Sequence, residues 1–528
     1  MTKKLTWIIW GLSACCLSAP VLALENFLDS NGIDALKLHQ PPYNLTGRKI
    51  AIGQVEIGRP GKFGLDKAVS KNLAVSVAGV FLRTRRATSN TGVDPHAYNV
   101  AGIMVSTDKA LTGVAPGARL YSSAIGSTKN MSQSEECLSA QQVALQNGKD
   151  VRAINFSFGE PLNHDPRPEA VLDGKALLTL CIDWSSRVHN VLYVVAGNQG
   201  RGGISIPTDN YNGLNVAFSS RRGGVFNKVD VSNLATSDPE MVQRLAGREI
   251  NLGSRSSVSL VAPGSNIRLL SPDGKASKST GTSFAAPQVT ATTALLQEYG
   301  DKQLRTKQPH WSIDSRRHEV MKAVLLNSAD KIKDAGDGSR LGMTRTLIDK
   351  QDRDWLGSVA YHNPKIPLDP QMGAGHLNAF RAYKQFSAGE WNPSQPVPTT
   401  GWDYRKVNAG ASAEYTIDKQ LQQGSFIAIT LIWDRLVELD DKNKTGAYDG
   451  NEAFRDRGLN NLALYLVKSD TQNAEAAVCS SISEVDSVQH IFCPVPTTAH
   501  YKIRVKFRTQ VNEATQPYAL AWWSVPAK

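Results

Sequence analysis

The chain has 528 residues, of which 41% are apolar and 20% are charged. This composition excludes a disordered chain and predicts a globular protein of two or three domains with a large core. The net charge of +11 indicates solubility rather than nucleic-acid binding, because the basic run at residues 82–86 has no interleaved aromatic side chains.

The first 23 residues have the pattern of a secretory signal peptide. Lys3 and Lys4 precede an apolar run over residues 5–17, and residues 21–23 (VLA) form a small-residue cleavage site. We therefore expect a secreted or periplasmic protein. The alternative is a bacterial lipoprotein with lipid on Cys15, since residues 12–15 also resemble a lipobox. No other apolar run approaches the ~20 residues of a membrane span, so we expect no transmembrane segment.

The region that follows alternates short apolar runs with helical patterns, which predicts a doubly wound, mostly parallel α/β sheet. Ligands bind at the carboxyl ends of the strands in such sheets, and Glu56 and Asn198 each lie where a predicted strand ends. The predicted strands are 50–55, 119–124, 151–156, 192–195 and 258–260.

Residues 281–289 (GTSFAAPQV) place a serine at the start of an Ala-rich helix. The helix dipole favours developing negative charge at that end, which suits a nucleophile attacking a carbonyl. We expect Pro287 in the first helical turn, where a missing N–H costs nothing. The segment therefore indicates Ser283 as a candidate nucleophile.

Residues 281–289 resemble the serine segment of the subtilisin-like serine proteases, peptidase family S8, whose triad runs acid, histidine, serine along the chain. His96 in residues 94–102 (DPHAYNVAG) falls on the family's catalytic histidine, although residues 97–99 depart from the pattern. Residues 113–121 (GVAPGARLY) match the family segment expected after it. Asn198, in the AGN of residues 196–198, falls on the asparagine that stabilises the oxyanion.

The acid of the triad is where the chain departs from the family. Glu56 stands where the resemblance places an aspartate, and Gly58 keeps the family glycine. A glutamate can orient the imidazole and stabilise its charged form, as it does in some α/β hydrolases. Two alternatives remain: Asp94 or Asp66 serves as the acid, or the site is impaired and the protein only binds.

Sedolisins share the fold and use a glutamate, but theirs lies on a helix and their oxyanion residue is an aspartate. The resemblance to subtilisins therefore implies chemistry at neutral pH.

Further segments resemble the family in order from residue 47 to about 385. They include residues 154–159 (INFSFG), 261–264, 321–330 and 373–379. The resemblance implies that an extended substrate is bound by Ser157, Phe158, Gly159, Ala196 and Gly197. Apolar side chains near this strand and near residues 205–207 indicate a medium or large apolar residue before the cut.

Four cysteines remain beyond the signal peptide, and they allow three pairings. The simplest joins Cys137 to Cys181 and Cys479 to Cys493. We expect no cofactor and place no metal, since there is no CxxC or His/Cys cluster. Calcium is common in the resembled family, but we identified no EF-hand-like run of acids, and Asp108 and Asp209 are isolated.

A Pro-rich linker is predicted at residues 389–402, between a subtilisin-like catalytic domain at 47–388 and a C-terminal β sandwich, jelly-roll-like, at 403–528. In the sandwich, apolar residues alternate with polar ones, as at residues 501–507. Residues 24–46 form a short N-terminal extension, too short for the folding propeptide usual in the family.

The sequence favours a monomeric, secreted serine endopeptidase that acts on proteins or peptides through Ser283, His96, Glu56 and Asn198. The second hypothesis is a catalytically impaired binding protein on the same fold. An esterase without peptidase activity is a third and weaker hypothesis, because Ser157–Gly159 suits a peptide backbone.

Overall fold

A computed structural model describes residues 27–126, 132–168, 170–197, 206–229, 255–471 and 476–528. The predicted signal peptide, Cys15, Asn198 and Ser205 lie outside the described residues.

The described N-terminal two thirds of the chain forms a ten-stranded, mostly parallel sheet in the order β12-β8-β7-β6-β5-β1-β4-β2-β3, with β9 paired to β7. Only β3 and β8 run antiparallel to their neighbours β2 and β7 among these described pairings. The predicted α/β class is therefore confirmed. The strands are β1 Ala51–Glu56, β2 Val77–Leu82, β3 Arg85–Arg86, β4 Arg119–Ala124, β5 Val151–Phe156, β6 Leu192–Ala196, β7 Leu214–Arg222, β8 Val225–Lys228, β9 Leu260–Pro263 and β12 Leu347–Ile348, with a separate hairpin of β10 Ile267–Leu270 and β11 Ala276–Ser279.

Helices cover both faces of this sheet. Two of the predicted strands, 119–124 and 151–156, have the predicted bounds, whereas the strand expected at 258–260 instead runs from Leu260 to Pro263. The described helices are α1 Leu36–His39, α2 Pro95–Val105, α3 Gln133–Ala144, α4 Gln146–Lys149, α5 Leu177–His189, α6 Thr282–Arg305, α7 His318–Asn327, α8 Val359–His362 and α9 Ala379–Ser387.

The long helix α6 is the central helix of the core. All but a few of its residues up to Gly300 are buried, and its Glu298 accepts hydrogen bonds from the backbone N–H groups of residues 46–48. The segment at residues 27–46 adds Phe27, Ile33 and Leu38 to the same apolar core. The N-terminal extension is thus packed against the sheet domain.

The C-terminal region contains two four-stranded antiparallel sheets, β13-β22-β15-β20 and β14-β21-β18-β19, which enclose one apolar layer. Tyr501, Ile503, Val505 and Phe507 are all fully buried in that layer, so the predicted sandwich is confirmed. The strand is not half-buried as expected, because Lys502 and Arg504 are also buried, at 5% exposure each, and both pair with Glu414. The strands are β13 Thr400–Asn408, β14 Ser412–Thr416, β15 Phe426–Ile432, β18 Asn461–Lys468, β19 Cys479–Ser481, β20 Val488–Pro494, β21 Tyr501–Thr509 and β22 Thr515–Trp523, with a hairpin of β16 Val437–Leu439 and β17 Phe454–Asp456.

Two disulfides are formed, and they are the pairings considered simplest. Cys137–Cys181 joins α3 to α5, and Cys479–Cys493 joins β19 to β20.

The sandwich packs directly on the sheet domain through buried charge. Arg435 donates to the Asp183 carboxylate on α5 and to the carbonyl oxygen of Gly174, and its guanidinium lies 4.3 Å from the ring centre of Tyr211. A charge pair with so little exposure to solvent needs this full set of partners to offset desolvation.

Candidate active site

Glu56 and His96 meet where β1 ends and α2 begins. Glu56 is the last residue of β1, and His96 is the second residue of α2. The Glu56 carboxylate is almost fully buried, and its Oε2 lies 3.4 Å from His96 Nδ1. The imidazole itself is 42% exposed, so its other face remains open to a ligand.

The close approach of β1 to α2 depends on Gly58. A Cβ at residue 58 would lie 2.2 Å from Cβ of Asp94, the N-cap residue of α2. Gln54 adds a second tie, since its Nε2 donates to the carbonyl oxygen of Ala97 over 2.9 Å. These contacts hold the end of β1 at a fixed distance from α2, and the Glu56 side chain, one methylene longer than an aspartate, spans that distance to His96.

The electrostatics of the pair support an ion pair. Burial raises the pKa of Glu56, while the hydrogen bond and charge of His96 act to lower it. Burial alone would lower the pKa of His96, but the hydrogen bond and charge of Glu56, with a further contribution from Asp94, raise it above its ordinary value. Each group therefore favours the charged form of the other.

The two alternative acids are occupied elsewhere. Asp66 is buried, pairs with both terminal nitrogens of Arg59 at 2.6 and 2.8 Å, and accepts from the backbone of Lys62 and Asn90. Asp94 accepts from Ala97 N over 2.8 Å as the helix cap. Of the three carboxylates, Glu56 is the one in contact with the imidazole.

Ser283 is the second residue of α6, so it lies at the N-terminus of the helix, as the sequence indicated. Its Oγ donates to the carbonyl oxygen of Ser157 over 3.3 Å. The ring of Phe284 packs 5.7 Å from the His96 ring, which places the histidine beside the start of α6.

Pro287 lies in the second turn of α6, so its expected place in the first turn was wrong. Since proline has no N–H, the carbonyl oxygen of Ser283 four residues earlier lacks its helical partner. The Ser157 hydroxyl donates to that carbonyl over 3.2 Å, and Asn155 Nδ2 donates to Ser157 Oγ over 2.8 Å. The role of Asn155 was not predicted, although a polar residue inside an apolar strand was a signal for it.

The five residues expected to bind substrate lie at the carboxyl ends of the neighbouring parallel strands β5 and β6. Ser157, Phe158 and Gly159 follow β5, and Phe158 is buried with its ring stacked 5.2 Å from Phe156. Ala196 ends β6, and the N–H of Gly197 donates to Val216. Asn198, the candidate oxyanion residue, is outside the described part of the chain.

Directly after Gly159, residue 160 forms an isolated antiparallel β-bridge with residue 206. Glu160 and Ile206 exchange backbone hydrogen bonds of 2.9 Å in each direction. The predicted apolar surroundings near residues 205–207 therefore include Ile206, which is fully buried.

Within the described residues, one group of three side chains brings metal-ligand atoms within 4.8 Å of one another: His318, Glu319 and Asp434. His318 Nε2 lies 3.1 Å from Asp434 Oδ2, and its Nδ1 lies 3.1 Å from both Glu319 Oε2 and Asn190 Oδ1. Both ring nitrogens already have partners, so the group is a buried charge network between α7 and the sandwich.

No helix among the described residues is long and apolar enough to cross a membrane.

The doubly wound sheet carries a serine at the N-terminus of a helix and an imidazole in contact with a buried carboxylate. These are the features of a serine hydrolase fold. The chain belongs to the subtilase family, whose model matches residues 51–344. This membership supports a serine protease.

Two curated relatives are similar over part of the chain. Subtilisin Savinase of Lederbergia lenta is 26% identical over 270 residues, covering 50% of this chain and 84% of that protein. The major intracellular serine protease of Bacillus subtilis (strain 168) is 28% identical over 217 residues, covering 40% of this chain and 58% of that protein. The chain thus spans less than two thirds of the second relative's length.

Among solved structures, the prenylagaramide maturation protease PagA is similar with a TM-score of 0.40 and 20% identity, covering 65% of this chain and 94% of that one.

Proposed function

We propose that this protein is an exported serine endopeptidase whose triad is Ser283, His96 and Glu56. The observation that carries the proposal is the buried Glu56 carboxylate 3.4 Å from His96 Nδ1, which gives the imidazole the partner that a general base requires. The two disulfides and the similarity to subtilisins support an oxidising compartment outside the cytoplasm.

In the proposed reaction, His96 takes the proton of Ser283 as Oγ attacks the scissile carbonyl carbon. Glu56 keeps the proton on Nδ1 and stabilises the imidazolium that forms. The oxyanion accepts from the Ser283 backbone N–H and from the side chain of Asn198. His96 then passes its proton to the leaving amine, and water hydrolyses the acyl-enzyme in a second cycle.

The substrate would be a protein or peptide bound in extended form along residues 157–159. The Ser283 hydroxyl, which now donates to the Ser157 carbonyl, would be released to His96 as the substrate backbone takes that place. Phe158 and Ile206 favour an apolar side chain before the cut. We propose that the protein works as a monomer.

A non-catalytic binding protein is the second candidate, and the hydrogen bond from Ser283 Oγ to Ser157 favours it. Covalent labelling by a fluorophosphonate separates the two. An activated serine reacts at neutral pH, and we expect stoichiometric labelling that is lost in Ser283→Ala. Folded protein that stays unlabelled would establish the binding protein instead.

The choice between peptidase and esterase needs a second measurement. A peptide library digested by unlabelled protein from the same batch is expected to give internal cuts after apolar residues. Hydrolysis of ester substrates with no peptide cleaved would identify an esterase.

A further inference from the structure

We propose that residues 441–452, here called the acidic loop, bind one Ca²⁺ ion. The loop connects β16 to β17 and has the sequence DKNKTGAYDGNE. A twelve-residue calcium loop supplies oxygen ligands from positions 1, 3, 5, 7, 9 and 12, and has glycine at position 6. In that order the acidic loop offers Asp441, Asn443, Thr445, the carbonyl of Ala447, Asp449 and Glu452, with Gly446 at position 6.

The carboxylate at the last position is buried, and only one of its two oxygens accepts a hydrogen bond. Glu452 is only 6% exposed, and its Oε1 accepts from the backbone N–H of Lys442 over 2.9 Å. Its other oxygen, Oε2, is buried and has no hydrogen-bond partner in the described structure. A carboxylate in this state is costly unless a cation neutralises it, and Glu at position 12 is the residue that binds Ca²⁺ through both oxygens.

The first half of the loop is folded around Asp441. Its Oδ1 accepts from Thr445 N over 3.0 Å, and its Oδ2 accepts from Gly446 N over 2.7 Å. Gly446 has a φ of 70°, the left-handed conformation that the sharp turn at position 6 requires. The carboxylates at the two ends of the loop are therefore both turned back onto its own backbone.

The carboxylates of Asp441, Asp449 and Glu452 do not all lie within 4.8 Å of one another. In this they differ from the group formed by His318, Glu319 and Asp434. Position 9 of such loops often reaches the ion through a water molecule, so Asp449 does not need to contact the ion directly. Asn443 Nδ2 donates to Asp449 Oδ2 over 2.7 Å, so positions 3 and 9 lie side by side.

The ligand set selects the metal. Carboxylate, amide, hydroxyl and carbonyl oxygens without nitrogen or sulfur suit a hard cation, and a flexible loop with up to seven oxygens suits Ca²⁺ rather than Mg²⁺. Three carboxylates beside Lys442 and Lys444 make the affinity weak, within the range of about 10⁻⁴–10⁻³ M typical of extracellular calcium modules.

The loop is part of the contact between the sandwich and the sheet domain. Tyr448 at position 8 is buried, and its backbone exchanges two hydrogen bonds with the side chain of Gln141 on α3, of 2.7 and 2.9 Å. Its hydroxyl donates to Ser134 Oγ over 2.9 Å. Bound Ca²⁺ would fix the loop on both sides of Tyr448 and thereby stabilise the docking on α3, independently of whether the protein cleaves peptides.

The test uses the full chain with Ser283→Ala, which prevents self-digestion, after removal of metal with a chelator. Equilibrium dialysis against ⁴⁵Ca²⁺ counts the ions bound per chain, and thermal unfolding with and without Ca²⁺ measures the gain in Tm. The variants Glu452→Gln and Asp441→Asn are compared with Glu484→Gln, an equal change of charge at a 70% exposed side chain. Because the count is compared between variants, any ion bound elsewhere cancels.

We expect both loop variants to bind one ion fewer at millimolar Ca²⁺, or to bind it at least tenfold more weakly, and to lose part of the gain in Tm. Glu484→Gln should match the parent, and Mg²⁺ at the same concentration should not replace the lost gain. Equal counts and affinities in all four proteins would overturn the proposal. If Glu452→Gln does not fold, Asp441→Asn decides the question, since Asp441 lies in an exposed part of the loop.

Discussion

Ser157 and Ser283 exchange two hydrogen bonds, the hydroxyl of each donating to the carbonyl oxygen of the other, over 3.2 and 3.3 Å. This reciprocal pair joins the strand expected to hold the substrate to the helix that carries the candidate nucleophile. Pro287 accounts for one of the two bonds, because it leaves the Ser283 carbonyl without its helical donor and the Ser157 hydroxyl donates there instead. The substrate strand and the nucleophile are therefore positioned by one contact.

Ser157→Ala removes the donor to the Ser283 carbonyl, and we expect kcat on a fluorogenic peptide to fall by roughly tenfold, equivalent to about 1.4 kcal/mol. KM should change less, because the backbone of residue 157 remains. Pro287→Ala restores an N–H to α6 and should by itself have little effect. In the double variant we expect part of the loss to be recovered, which a four-way cycle of kcat values measures.

Ser122→Ala is the matched control for that cycle, since Ser122 is a fully buried serine on β4 whose Oγ has no hydrogen-bond partner in the described structure. Its activity should equal that of the parent. Strictly additive effects of Ser157→Ala and Pro287→Ala would show that the two residues do not act through the Ser283 carbonyl.

Ser283→Ala tests the nucleophile directly. We expect folding to be retained, as judged by the same Tm within a few degrees, and peptidase activity to fall by about 10⁶-fold, since removal of the nucleophile of such a triad leaves only binding and oxyanion stabilisation. Activity within tenfold of the parent, measured on protein free of contaminating proteases, would place the nucleophile elsewhere.

Strand ends were predictable from sequence because apolar runs and the residues that break them are local signals. Glu56 could be placed at the end of β1 for that reason, and Ser283 at the mouth of α6. The contact between Ser157 and Ser283 could not, because it joins residues 126 positions apart. Pro287 was assigned to the wrong turn because the first turn is where proline destabilises a helix least. In this protein the carbonyl left without its N–H donor accepts a hydrogen bond from the Ser157 hydroxyl instead.

The acidic loop was overlooked although its spacing was readable. Only three of its twelve residues are acidic ligands, and the ligands at positions 3, 5 and 7 are an amide, a hydroxyl and a backbone carbonyl. A search for runs of acids misses such a set. The burial of Glu452 distinguishes the acidic loop from a solvated turn, and this burial appears only in the folded structure.

Gly58→Ala should impair the site without removing any functional group. The added Cβ would lie 2.2 Å from Asp94 Cβ, so β1 and α2 must move apart and the contact of Glu56 with His96 must lengthen. We expect kcat to fall by about 10²-fold, the scale of a misplacement near 1 Å. Gly102→Ala, in the same helix as His96, has its nearest neighbour at 3.7 Å and serves as the control. Equal activity of the two variants would contradict the steric argument.

The docking of the sandwich depends on Arg435. Burial raises the pKa of Asp183, and the charge and hydrogen bonds of Arg435 act against that shift. Arg435→Met leaves Asp183 buried without its cation, and we expect a loss of about 3–5 kcal/mol in the free energy of unfolding, measured by denaturant titration. Arg455→Met, which removes an exposed pair with Glu438, should cost less than about 1 kcal/mol. Similar losses for both would show that the buried pair does not hold the interface.

Glu56 is the residue on which the proposed triad depends most, and two substitutions distinguish its role. Glu56→Gln keeps the shape but removes the charge, so kcat should fall by up to about 10⁴-fold. The pH profile should move as well. His96 acts as a base only when neutral, and Glu56 raises its pKa, so the acid limb of kcat/KM in the parent should lie above the ordinary histidine value of about 6.5. Without the carboxylate the pKa of His96 falls, and the acid limb should shift to lower pH.

Glu56→Asp keeps the charge but withdraws it from His96 by about one methylene, because Gly58 holds the backbone in place. This variant should therefore lose less activity than Glu56→Gln and retain the parent's acid limb. An increase in activity in Glu56→Asp would mean that the backbone still suits the shorter acid of the family, and unchanged profiles in both variants would exclude Glu56 as the partner of His96.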